Sequence, residues 1–280
     1  MFKSILVLSL LATPLAAADA PSPAYYLKML SESKLIYGIA DGPVKNSVEV
    51  LSCPAASDQK RAASSDTMSP KGHFAAANAH AEAGRLNEAR EELVKALVGD
   101  PSFGAALTAL EKQPEAYGVN ALVSHPFNPP SGLVGNKKGD MVELSAGDGG
   151  WLGYSLCKAV WMYEPDFRKL HGGAKKNEWS VNEESACITN AVVTEMNSTR
   201  KKLEDNGGKP KDADVVAALP DSLRFIREVS DKNLLDGYVL FEVLGQHCPD
   251  AIASLDDASR AELERYIRAY VVVPRAADSH

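Results

Sequence analysis

Apolar positions recur with a helical period over most of the chain. From Asp256 to Val273, the residues Leu263, Tyr266, Ile267, Tyr270 and Val271 fall at i, i+3, i+4, i+7 and i+8, a single stripe. Asp256 and Asp257 stand just ahead of it as cap candidates. Val181 to Asp205 is long and amphipathic, Trp151 to Tyr163 is mostly apolar, and Asp221 to Val229 makes a shorter helix. Leu234 to His247 is apolar nearly all round, which marks a central, buried helix. Near the start, Ala24 to Leu30 predicts a short helix. The β-branched content of Val44 to Leu51 and the run Met141-Val142-Glu143-Leu144 predict short strands. The pattern as a whole predicts a mainly α protein. A helical hairpin packs with a C-terminal α-helical bundle, and short β elements are possible around 44–51 and 140–145.

Punctuation residues suggest where the chain divides. Residues 54–70 are rich in Ala, Ser and Asp and read as a loop or weak helix, and 70–116 are strongly helical. Prolines and glycines crowd the stretch SHPFNPPSGLVG, and GDGG follows a little later, so 117–150 reads as a boundary or a functional loop. The expected organisation is an N-terminal region 19–116, a linker 117–150 and a helical domain 151–280.

Residues 1–18 read differently from everything after them. Lys3 supplies a positive start, Ile5 to Ala12 a short apolar core, and Ala16-Ala17-Ala18 a small-residue cleavage pattern. These are the parts of an export signal, with cleavage expected after Ala18. The apolar run is too short for a permanent span, and nothing further along approaches 18 consecutive apolar residues. The expected location is the periplasm or outside the cell. In an oxidising compartment the four cysteines read as two disulfides, because no two lie within four residues of each other as a redox or zinc motif requires. Cys157 with Cys187 is the favoured pair, since both segments look like adjacent helices, which leaves Cys53 with Cys248. The 280-residue chain carries 37 acidic against 30 basic side chains, a net charge of −7. That balance argues against nucleic-acid binding, which needs a basic face to neutralise phosphates.

One segment has a recognisable spacing. Within residues 70–103 the alanines around Ala77 let a first helix approach a second, and Gly84 permits the turn between them. Ala89, Leu93, Ala96 and Leu97 give the second helix one apolar face, and Pro101 ends it. At this spacing the segment resembles a tetratricopeptide repeat, a helical hairpin of about 34 residues. Ala77, Gly84, Ala89, Ala96 and Pro101 match the repeat, while His73 and His80 stand where it carries bulky aromatic side chains. No second copy follows. Phe103, Ala106, Leu107 and Leu110 form a further amphipathic turn that reads as a capping helix, stopped by Pro114. A lone repeat cannot bury its own faces, so it must dock on the rest of this chain or on another. The resemblance implies recognition of another protein or peptide of the cell envelope. In the repeat's register Lys71, Phe74, Asn78 and Glu82 face the binding side.

Catalytic motifs are missing: there is no H-E-x-x-H, G-x-S-x-G, G-x-x-x-x-G-K-[ST] or G-x-G-x-x-G. The sequence calls for no cofactor and no metal, and the six histidines are scattered. Carboxylates offer the alternative function, an envelope hydrolase with loop 117–150 over an acidic pocket. Glu183 and Glu184 open the long helix, where the helix dipole favours negative charge. Glu242 lies between Phe241 and Val243 and must be paired or hold its proton. Lys158, Arg168, Arg224 and Arg227 are its candidate partners. His171 completes the set of acid–base candidates, and nothing in the sequence assembles a nucleophile beside a base.

Overall fold

The computed structural model of the chain describes residues 22–51, 53, 69–145, 149–171, 180–252 and 255–276. The expected export signal lies outside them. The protein is mainly helical, with a single two-stranded sheet among the described residues. The chain runs α1 (Pro23–Glu32), β1 (Ile36–Ala40), α2 (Pro70–Glu82), α3 (Leu86–Gly99), α4 (Gly104–Lys112), a 3₁₀ turn (Pro114–Tyr117), β2 (Met141–Ser145), α5 (Gly149–Tyr163) and α6 (Pro165–Leu170). It continues through α7 (Val181–Asp205), α8 (Asp212–Ala217), α9 (Asp221–Asp231) and α10 (Leu235–Tyr238). A wide π turn (Val239–Leu244) then leads into α11 (Gly245–His247), α12 (Pro249–Ile252) and α13 (Asp257–Tyr266), and α13 ends in a second π turn (Ile267–Val271).

These elements form two compact units that interleave along the chain. The first takes 22–50, 129–173 and 186–227 and the second takes 51–128, 174–185 and 228–280, each within the described residues. This division runs differently from the expected 19–116, 117–150 and 151–280. Loop 117–150 is shared between the units, and the second unit joins the hairpin to the end of the chain.

In the first unit β1 and β2 pair in parallel, from Ile36 opposite Met141 to Ala40 opposite Ser145. Val142 and Leu144 point inward, fully buried, and β2 packs on α5. The expected strand at 44–51 is not formed. Val44 and Val48 donate single backbone bonds to Gly132 O and Val134 O, and the strand lies earlier, at 36–40. Ser22 caps α1 through its side chain, with Pro23 pre-set for the first helical position. Tyr26 of α1 is fully buried against Phe167. The Cys157–Cys187 disulfide ties α5 to α7.

In the second unit α2 and α3 form the hairpin. Gly84 takes φ +72° between them, a left-handed turn that costs glycine least. Ala77, Ala89, Leu93, Ala96 and Leu97 are fully buried. The outer side of α3 lies on α13 and on the π turn that follows it. Arg268 of that turn grips Glu91 of α3 with two bonds of 2.7 Å. The hairpin thus docks on this chain's own C-terminal helices. The end of the chain closes the unit: Asn120 N–H donates to Val273 O and Arg275 N–H to Gly118 O. Asp256 caps α13 by accepting from Ser259 N–H at 2.8 Å, and the Cys53–Cys248 disulfide spans the unit. Both expected cysteine pairings are formed.

Candidate functional site

Two places in the second unit concentrate side chains that the sequence singled out. The first is helix α2. His73 points into the hairpin, where Nδ1 meets Glu92 Oε2 at 2.6 Å, so this histidine is a packing residue. Lys71 and Glu82 are exposed, and Phe74 and Asn78 are half-buried. The chain itself occupies the latter two. Phe74 meets the edge of Phe103, with ring centroids 5.7 Å apart, and Tyr117 O–H donates to Asn78 Oδ1 at 2.5 Å. Of the four residues expected on the binding face, two hold the cap that follows the hairpin and two remain open to solvent.

The second place is Glu242, in the middle of the π turn between α10 and α11. Its side chain is buried, and Oε1 accepts from Tyr266 O–H at 3.2 Å and from His125 N–H at 3.3 Å. Ser124 adds a side-chain bond. Among the described residues, the cations expected as partners, Lys158, Arg168, Arg224 and Arg227, are not among the groups bonded to this carboxyl. Arg168, for example, donates to Trp161 O. Burial pushes the Glu242 carboxyl above its ordinary range, and the three hydrogen bonds offset that only in part. Its neighbours form a chain of phenols. Tyr238 O–H donates to His125 O at 3.0 Å, Tyr266 stacks on Tyr270, and Tyr270 O–H donates to Glu228 at 2.9 Å. Burial raises the Tyr238 phenol, and the Glu242 and Glu184 charges push it further. Bonds from Lys232 and Tyr270 hold Glu228 below the usual carboxylate range. Burial also pulls the His125 imidazole down, against the Glu228 charge.

Chemically, this is an acid that keeps its proton to higher pH than a free carboxyl, wrapped in neutral donors. Glu183 and Glu184 are buried on the first turn of α7, where Ser180 Oγ accepts from Glu183 N–H. His171 belongs to the first unit, ringed by Tyr25, Trp161 and Phe167. Sequence reasoning missed Ser124, His125, Tyr238 and Tyr266 as the company of Glu242. The crowded prolines after His125 were the available signal, since they mark a loop whose backbone donors are free to turn inward.

The raised carboxyl has a measurable consequence. The folded state binds the Glu242 proton more tightly than the unfolded chain does. Its contribution is therefore complete below the ordinary carboxylate range, near pH 4, and is lost as pH rises through the raised folded value. Glu242→Gln removes this term and leaves Glu91 and Glu228 unchanged. Relative to wild type, its denaturant midpoint is expected to improve steadily from acid to neutral pH. A difference that does not vary with pH contradicts the raised carboxyl.

Among the described residues no helix is long and apolar enough to cross a membrane, and no cluster of three or more His, Cys, Asp or Glu side chains is suited to a metal ion. No protein-family model, no curated protein and no solved structure matches this chain.

Proposed function

We propose that the protein is an exported binding module that receives a helix of another cell-envelope protein on the outer face of α2. The observation that carries this reading is the one-sided packing of that helix. It packs chiefly on α3 and the 3₁₀ turn, and Lys71, Ala75, Ala79 and Glu82 stay exposed. These four follow i, i+4, i+8 and i+11, one stripe along the helix. Small side chains at its centre let a second helix come close, and opposite charges at its ends set the direction of approach. The export signal in the sequence and the two disulfides agree with a life in an oxidising compartment.

A photo-crosslinking residue at position 79, in protein expressed in its own envelope, is expected to capture one discrete partner. Ala79→Arg should abolish that capture while shifting unfolding by less than about 0.5 kcal/mol, because the position is exposed. No adduct at position 79, or the same partner captured by Ala79→Arg, rejects this reading.

A further inference from the structure

The outer edge of β1, in the first unit, has no assigned role. Ile36 N–H reaches Asp140 O at 2.6 Å, so the backbone groups of Ile36, Gly38 and Ala40 face β2. Alternation turns the N–H and C=O of Tyr37 and Ile39 to the opposite edge, where no described residue pairs with them. Ile36 is 63% exposed and Ile39 61%. A strand open along one edge, with two bare isoleucines, is a template for another strand. Its ends carry opposite charges. Lys34 precedes β1 and Asp41 follows it, both are exposed, and neither has an ion-pair partner among the described residues.

We propose that β1 pairs antiparallel with β1 of a second copy of this chain, about a two-fold axis through Gly38. In this register Tyr37 stands opposite Ile39 of the second copy. Both turn their backbone groups outward, so four N–H···O=C bonds close across the axis. Ile36 stands opposite Ala40 of the second copy, a large side chain against a small one, and leaves water. The end charges select the arrangement. Antiparallel pairing sets Lys34 of each copy opposite Gly42 of the other, one position from its Asp41, twice, while parallel pairing sets lysine against lysine. The product is one four-stranded sheet in the order β2, β1, β1, β2, closed by symmetry so that it does not grow into a filament.

Sedimentation velocity on the full mature chain over a wide dilution series tests the pairing. The wild type is expected to dimerise with a dissociation constant on the order of micromolar or weaker, because the paired segment is short. Ile39→Pro deletes an outward N–H and leaves the ladder to β2 intact, so the dimer is lost while the circular dichroism is kept. Asp41→Lys brings lysine near lysine twice and should weaken association about tenfold. Lys34→Glu combined with Asp41→Lys in one chain should restore it. The charge series decides the matter even if Ile39→Pro fails to fold. A wild type that is monomeric at every concentration overturns the proposal, as does a dimer indifferent to Asp41→Lys and its rescue. Occupation of this edge by a foreign strand on a monomeric chain overturns it as well.

Discussion

Removing the Cys53–Cys248 disulfide, by Cys53→Ser with Cys248→Ser, is expected to cost the second unit about 5 kcal/mol. The cross-link closes a loop with a sequence separation of 195. In the chain-entropy account the cost of releasing such a loop grows with the logarithm of its length, reaching about 4.7 kcal/mol at 100 residues. The Cys157–Cys187 bridge closes a separation of only 30, for which the same relation yields about 3.7 kcal/mol. Against a total stability of roughly 5–15 kcal/mol, the first loss is the more dangerous one. Denaturant unfolding of both serine pairs, measured under oxidising conditions, checks the order. A long-loop variant that loses no more than the short-loop variant refutes the expectation.

Gly237→Ala is expected to be nearly as damaging, by a different route. A side-chain carbon at this position overlaps the carbonyl of Glu262 and the Cβ of Tyr266. Neither atom is the tip of a flexible side chain, so relief requires α10 and α13 to part. Parting them also stretches the Tyr266–Glu242 hydrogen bond, leaving a buried carboxyl less satisfied. Overpacking of this kind costs about 1–3 kcal/mol and occasionally more, and a fixed backbone obstacle places Gly237→Ala near 3 kcal/mol. Gly104→Ala is the control, because the space around Gly104 is open and alanine suits a helix. It should unfold at or slightly above the wild-type midpoint. Equal midpoints for Gly237→Ala and wild type would mean that the two helices are not in contact there.

The features legible in the sequence were those that local physics determines. The stripe of Leu263, Tyr266 and Ile267 is buried as its period predicts. Val181–Asp205 is a helix over the expected range, and Gly84 makes the turn between α2 and α3. The sheet was half legible. Met141–Ser145 lies where MVEL predicted it, but its mate Ile36–Ala40 is a short strand broken by Gly38, and only a partner a hundred residues away selects it. The richer β-branched run at 44–51 instead buries Val44 and Val50 and pairs only at single points. The surroundings of Glu242 were illegible for another reason. A π turn inserts an extra residue, so helical period no longer reports which face residues 239–244 present. The partners of Glu242 come from Tyr266 and a loop near residue 125, and no pairwise spacing along the sequence links them. For α2, the spacing within 70–103 singled out Phe74 and Asn78, but their neighbours Phe103 and Tyr117 lie at the end of that segment and beyond it.

The two bridges are nested, with the 157–187 pair enclosed within the 53–248 pair. A chain oxidised as it emerges from a translocation channel would join its thiols in order of appearance, 53 to 157 and then 187 to 248. The native pattern is the opposite of that vectorial outcome. To reach the native pattern, Cys53 must stay unpaired until Cys248 is available, or an early mispairing must be reshuffled. Thiol–disulfide exchange is what turns the sequential pairing into the nested one, so an isomerase, more than added oxidant, is expected to speed oxidative refolding of the reduced chain.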